Sequence, residues 1–497
     1  MKYILYGLLL LAATQLSAQK YYSKWPYGYD AGKGDPNFKT CIFDVSTDTF
    51  KTFDTPSLMG FRSSVASICD SIGNLLFYSN INRIFDAQHK YIENSDSLSF
   101  DKILFQDQKD GGGFTFQNNV IIKHSKWSNK WMLIHLNLML ASGQGQPYFL
   151  SPLYYTIIDQ VPNGLKVITK NQPIIEGNFE QLAYTKHGNG EDWWIILPEL
   201  NIPKFNFIKL DSSGIYFNHQ QEIGQGFNIN CAAAGVPSIS PDGSKYARFE
   251  NSCGLELFDY DRCNGILYNP QFLALDSILY PGAGSAFSPN SRFLYISSNT
   301  SIYQIDTWTQ PLQLLEVAHY DGFMDPFSTT FLMLDLQPDG RIYINSSSTV
   351  KSMHVIEYPD SLGMACQVKQ HSIKLNTFNK RTIPKTPNHL LGVLEGSPCD
   401  KSSMSTKLPI KSLEFNLYPN PIHNEQCILE LNSGLSHAQD YEVMITNIYG
   451  MQVYKSSIPA YSYIHRMNLA DLPSGVYFCN IIQNGQVLAV QKLVVVD

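Results

Sequence analysis

The feature that most constrains this chain is a turn-and-strand phrase that returns at a fixed interval. Residues 238–249 read SISPDGSKYARF, 286–297 AFSPNSRFLYIS and 336–345 LQPDGRIYIN. Their prolines are Pro241, Pro289 and Pro338, so the turns recur every 48–49 residues. Proline fixes φ at the first corner, and Asp or Asn followed by Gly or Ser tolerates the tight reversal. The β-branched and aromatic residues that follow suit a half-buried pleated strand. A further strand comes soon after each phrase: LELFDYD, SIYQIDTW and MHVIEYPD. A period of roughly 40–50 residues with several strands per unit is the pattern of propeller blades. One four-stranded blade cannot bury both its faces, so blades must stack on one another around an axis.

Looser copies precede these three. CDSIGNLLFYSN (69–80), HSKWSNKWMLIHL (124–136) and KHGNGEDWWIILPE (186–199) have the turn-then-strand form, and 41–54, 153–168 and 205–217 have the outer-pair form. Helical periodicity is almost absent. Six units and an unattached strand pair at 41–54 predict seven blades, with six and eight also compatible. The pair at 41–54 is expected to close the ring by completing the blade whose inner strands come from the end of the propeller sequence. Residues 394–412, rich in Ser, Pro and Lys, read as a linker. After it, 413–497 carry seven short β-runs at sandwich spacing. The fold class expected is therefore all-β. A β-propeller at 19–393 is followed by a small seven-stranded immunoglobulin-like β-sandwich.

The start of the chain predicts export. Lys2, an apolar run from Ile4 to Ala13, and Leu16-Ser17-Ala18-Gln19 form a secretory signal peptide over 1–18, cleaved between Ala18 and Gln19. The run is too short to span a bilayer, and no later stretch approaches a transmembrane segment. With 44% hydrophobic and 16% charged residues the chain can bury a core, and a net charge of −7 argues against a nucleic-acid partner. Nine cysteines are an odd number, and none has zinc spacing. Cys253 and Cys263 flank one strand, which holds them too far apart to pair. Alternation puts Cys427 and Cys479 among core residues of the sandwich, which favours packed thiols and leaves a disulfide open.

Standard catalytic strings are missing: there is no GxSxG, HExxH or P-loop, and no catalytic residue, cofactor or metal is expected. Asp259-x-Asp261 with Gly265 approximates a calcium loop whose glycine falls one position late. Gly111–Gly113 reads as a loop without a following helix start. His187, Glu191 and Asp192 share one glycine-rich turn, and they are the candidates for acid–base or ligand groups at a channel mouth. The competing reading of that turn is a solvated hairpin before the buried strand at Trp193–Leu197. Six Trp, 29 Tyr and 28 Phe supply both inter-blade packing and surfaces for gripping a ligand.

Four motifs near the end fall in order: Tyr418-Pro419-Asn420-Pro421, Asn447-Ile448-Tyr449-Gly450, Leu472-Pro473-Ser474-Gly475-Val476-Tyr477 and Lys492-Leu493-Val494-Val495. With them the last 85 residues resemble the type A C-terminal sorting domain of the Bacteroidota type IX secretion system. The resemblance implies passage through the periplasm, recognition of the folded tail by the secretion machinery, and removal of the tail. The passenger is then released or attached to surface lipopolysaccharide. HGNGEDWWIILPE, the S-P-D-G turns and TPNHLLG (386–392) resemble WD40-like propeller passengers of such proteins. The function expected is a secreted or surface-bound, non-enzymatic binding module for a glycan or protein. The alternatives are a propeller hydrolase or lyase acting on polysaccharide or peptide, and a structural surface component. Carboxylates, or a histidine with a carboxylate, converging in the axial channel would mark the enzyme.

Overall fold

The computed structural model describes residues 20–400 and 415–496 apart from 29–34, 48, 54–59, 62, 99–117, 138, 144–145, 151, 181, 201, 228–234, 251–252, 276–283, 424–425, 432–439, 448–450, 460–463 and 484–485. Seven antiparallel sheets follow one another along the chain. The fourth blade is typical, with strands Ala183–Lys186, Trp193–Pro198, Lys204–Asp211 and Gly214–Glu222 paired in sequence order. The fifth (238–273), sixth (285–319) and seventh (331–380) repeat that order. The third is built from Asn119–Ile122, Lys130–Leu136, Leu153–Val161 and Gly164–Ile175, with a side hairpin at 139–150 inserted after its second strand. The first and second blades have three strands each, at 24–53 and 66–86.

Within a blade, exposure rises from the first strand to the last. Trp193–Pro198 is buried along its whole length, whereas Gly214–Glu222 is mostly open to solvent. The first strands therefore surround the axis. Apolar clusters bridge successive blades. Trp193, Ile195 and Leu197 pack with Val120, Met132 and Ile134 of the third blade. Phe205 and Phe207 pack with Tyr246 and Phe258 of the fifth. The fifth and sixth share Phe249, Leu257, Leu294 and Ile305, and the sixth and seventh share Tyr295, Ile302, Ile342 and Ile344.

The ring closes differently from the expectation. The pair at 41–54 completes no blade of the C-terminal end. Its strand Thr40–Asp44 pairs with Lys24–Tyr27, four residues whose Pro26 hides a strand in the sequence. The first blade is thus self-contained and closes the ring by face-to-face packing. Trp25 and Phe43 meet Tyr343 of the seventh blade edge-on, with ring centroids 5.4 and 5.8 Å apart. One backbone bond, Phe378 N to Asn37 O at 2.9 Å, ties the seventh blade's last strand to the first blade's loop.

The chain beyond Val393 also departs from the expected linker. Leu394 N donates to Gly188 O, Ser397 and Asp400 are buried, and Cys399 is disulfide-bonded to Cys263 with Cα atoms 5.7 Å apart. Residues 394–400 thus belong to the propeller's surface. Cys253 is disulfide-bonded as well, and Cys263's bond to Cys399 agrees with the strand argument that kept those two apart.

All seven predicted tail strands form, in a three-stranded and a four-stranded sheet around one core. Cys427 and Cys479 lie in that core as free thiols. Trp308 of the sixth blade meets Tyr418 of the tail with ring centroids 6.0 Å apart, and Arg466 Nη1 donates to Gln310 O at 3.1 Å.

Two buried histidines make this fold sensitive to acid. Burial holds His135 down to about 4 and His354 down to about 3, against 6.5 for an open imidazole. A base depressed in the folded state takes its proton first in the unfolded chain. Stability is therefore full above about pH 6.5 and falls below it, by at most ~1.4 kcal/mol per pH unit for each group. Urea midpoints measured from pH 7.5 to 5 are expected to drop with that slope, and His135→Gln is expected to flatten it.

Candidate functional site

A cavity of about 200 Å³ opens on the axis, at the end of the ring that carries the S-P-D-G turns. The first strands of blades four to seven supply one wall through Thr185, Ser238, Ser285 and Asp335. The opposite wall is a strap that leaves the seventh blade after Lys380 and supplies Lys385, Thr386, Asn388 and His389. Tyr21 and Tyr22, a few residues after the expected cleavage point, complete the lining. The strap stays because its backbone and side chains are engaged along its length. Tyr184 donates to Lys385 O at 3.0 Å, and Asn388 Nδ2 to Pro241 O at 2.8 Å. Arg262 Nη1 donates to Gly392 O at 2.7 Å. Gly190 sits at φ 72°, and a Cβ there would meet Val393 N at 2.6 Å, so glycine lets the strap cross the turn.

Asp335 and His389 are held by hydrogen bonds, and Lys385 faces the charge of Asp335. Asp335 Oδ2 accepts bonds from Thr386 N at 3.2 Å, from Thr386 Oγ1 at 2.9 Å and from Gln337 Nε2 at 2.5 Å. Burial pushes Asp335 up, and the charge of Lys385 opposes that rise. Burial likewise pushes Lys385 down against the pull of Asp335. His389 lies among the rings of Tyr21, Tyr22 and Trp193, and its Nε2 is 2.7 Å from Tyr22 Oη. Burial, with the charges of Lys186 and Lys123, holds its imidazole neutral, well below the usual range. The hydroxyl of Tyr22 passes its proton bond on to Ile121 O at 2.9 Å. The result is a chain of bonds that joins the two ends of the propeller sequence.

His187, Glu191 and Asp192 line none of this cavity. Their turn is a joint between the third and fourth blades. Lys126 N donates to His124 Nδ1, so His124 Nε2 carries the proton that it gives to Asp192 Oδ1 at 3.0 Å. Asn189 Nδ2 donates to Asp192 Oδ2 at 2.8 Å, and Lys209 Nζ is 3.4 Å from the same oxygen. Burial raises the Asp192 carboxyl, yet the bonds from His124 and Asn189 and the Lys209 charge outweigh it and hold it low. Glu191 faces solvent beside Lys126 at 2.8 Å. His187 Nδ1 accepts from Asn189 N at 3.0 Å, and burial lowers its imidazole.

The other sequence candidates resolve the same way. Asp259 is bonded by Lys245 and Asn269, and Asp261 caps its turn through Cys263 N and Asn264. Among the described residues no group of three or more His, Cys, Asp or Glu is arranged to hold a metal. Gly111–Gly113, Gly450, Ala18 and Gln19 lie outside the described residues.

The tail motifs have a clear physical role. The last strand, Gln486–Val495, is the edge of its sheet. Asn420 clamps it: Nδ2 donates to Lys492 O at 2.7 Å and Oδ1 accepts from Val494 N at 2.9 Å. Ile422 then pairs with the strand through Ile422 N to Val494 O and Val496 N to Ile422 O. Pro419 and Pro421 flank Asn420 where no ladder donor is needed. Leu493 is buried, Lys492 exposed, and Tyr477 Oη donates to Pro473 O at 2.6 Å, fixing the turn before Gly475.

Residues 416–496 match the family described as secretion system C-terminal sorting domain. The tail is a sorting domain. The protein is a type IX secretion cargo, exported to the cell surface or the extracellular space. Among the described residues no helix is long and apolar enough to cross a membrane. No curated protein matches the chain. The solved structures similar to it are distant in sequence. A putative 6-phosphogluconolactonase from Bacteroides uniformis is 12% identical with TM-score 0.45, covering 73% of this chain and 99% of that one. The Cps50 (Swd1) β-propeller domain of Myceliophteria thermophila is 10% identical with TM-score 0.35, covering 65% and 93%. Saccharomyces cerevisiae Sqt1 is 10% identical with TM-score 0.37, covering 80% and 88%.

Two outcomes follow from the strap and the clamp. Cys399→Ser opens a cross-link of sequence separation 136, and is expected to cost about 2–4 kcal/mol in denaturant midpoint. It should also let protease cut within 394–400, which the disulfide-bonded wild type is expected to resist. Asn420→Ala removes two bonds from the edge strand, and is expected to lower sorting-domain stability by about 1–3 kcal/mol and the amount released to the medium, as read by immunoblot.

Proposed function

We propose that this protein is an exported binding module whose propeller captures a glycan or protein outside the cell, while its sorting domain serves only transport. The observation that carries the reading is the state of the axial cavity. Its one carboxylate, Asp335, is held through Oδ2 by Thr386 and Gln337 and faces the charge of Lys385, and its one histidine, His389, has Nε2 engaged by Tyr22. A hydrolase or lyase needs an acid and a base free to reach a reacting atom. Here the same residue types hold the strap in place. The likeness to a lactonase-like propeller is too distant to favour an enzyme.

In this reading 1–18 is the leader, the propeller runs from Gln19 to Asp400 with its strap, and residues 401–414 tether the sorting domain. The sorting machinery is the partner of the tail, and Tyr418, Pro419, Asn420, Pro421, Gly475, Tyr477, Lys492 and Leu493 shape the strand edge that it meets. The test takes mature protein from the medium and probes arrays of bacterial and host glycans and surface proteins. Retention on a defined glycan or protein without turnover is the expected result. Release of product from a polysaccharide or peptide, abolished by Asp335→Asn, would establish the enzyme instead. Silence on every array together with self-assembly into a layer would establish the structural component.

A further inference from the structure

The geometry points to the axial cavity as a site for one neutral, hydroxyl-rich ring, such as a single sugar unit at the end of a glycan. This inference rests on the binding reading above. Three observations carry it. The first is size. Pockets for drug-sized ligands run to about 300–1,000 Å³, so a cavity of about 200 Å³ takes one small ring and no chain.

The second is charge. Asp335 and Lys385 are the oppositely charging pair of the lining, and they sum to zero whether both are ionised or both neutral. His389 is held neutral beside them. A charged ligand would bring an uncompensated charge into a buried site, whereas a neutral one would not.

The third is the set of groups left for a ligand. All three bonds to Asp335 fall on Oδ2, and none reaches Oδ1. The Thr185 hydroxyl makes no hydrogen bond to a described residue. Lys385 Nζ and Gln337 Oε1, of two further lining residues, are buried polar atoms without a protein partner. An acceptor carboxylate oxygen, an acceptor amide oxygen, an ammonium donor and a hydroxyl within one small volume match an occupant whose groups both donate and accept. Hydroxyls do so, whereas carboxylates only accept. The half-exposed ring of Tyr21 and the buried ring of Tyr184 give the apolar surface that the C–H face of a sugar ring needs. The exposed Leu390 and Pro338 mark the open rim.

The experiment titrates the full secreted chain with glucose, galactose, mannose and N-acetylglucosamine, and separately with glucuronate, glucosamine and glycine. Binding is followed by calorimetry and by the fluorescence of Trp193, whose ring contacts His389. Saturable binding of at least one neutral sugar is expected, weakened tenfold or more by Asp335→Asn. Thr185→Val changes no volume or charge and should weaken it a few-fold in a chain that still folds, which keeps the test valid if Asp335→Asn does not. Binding of the charged probes as tightly as the neutral ones, no binding of any probe, or binding unchanged in the folded variants would each overturn the inference. Glycan or protein capture on arrays that survives both variants would leave the binding function standing and overturn the cavity as its site.

Discussion

Everything in the passenger depends on one constraint. A four-stranded sheet has two apolar faces, and each must be covered by another sheet of the same kind. Successive blades from the second to the seventh meet it through shared clusters, and so do the seventh and the first, so no blade is stable alone. The burden of completion falls on the first and seventh blades, which are farthest apart in sequence. Trp25 and Phe43 meet Tyr343 there, and the cluster extends through Val236, Leu332, Met353 and Ile383. Losing a large aromatic side chain from such a seam costs about 3–5 kcal/mol, a large part of a typical folding free energy of about 5–15 kcal/mol.

The first strands of the blades surround the axis without filling it. Here both ends of the propeller sequence enter it. Tyr22 comes in shortly after the expected cleavage point, and the strap returns with His389 to meet it at 2.7 Å. The strap is then carried across blades four and five to the disulfide at Cys399. A second buried ionic site stands on the fifth blade, where Arg248 is paired with Glu180 and Glu256 and covers the ring of Phe227 at 4.3 Å. Glu256 also accepts the backbone bonds of Gln225 and Gly226, so the pair holds the loop before the fifth blade. Such pairs are costly to break singly, since the partner is left as an uncompensated buried charge.

The sorting domain obeys the same logic on a smaller scale. Its last strand is an edge, and an edge presents unpaired backbone groups. The Asn420 side chain satisfies two of them and Ile422 continues the pairing, so a motif that looks like a linear address is in fact a clasp. The outward face of that sheet keeps Phe478 and Val490 exposed beside Lys492.

The sequence by itself determined the class of fold, a blade number between six and eight, the seven strands of the tail and the route of export. Those features repeat at fixed spacing or stand in contiguous motifs, and local turn chemistry with strand alternation is legible one residue at a time. It also determined that Cys253 and Cys263 stay apart, because a strand's length is set by its residue count. What only the tertiary structure decided depends on contacts between distant residues. Lys24–Tyr27 becomes a strand because the neighbour at 40–44 is there to pair with it, against the local preference of Pro26. Residues 394–400 look like a tether until Gly188 and Cys263 hold them. His187, Glu191 and Asp192 look like a catalytic turn until His124 and Lys209 arrive from other strands and make Asp192 a joint. Asp335 and Lys385 gave no signal in the sequence, since an isolated Asp and Lys fifty residues apart become a neutral buried pair only when the ring closes and the strap turns inward.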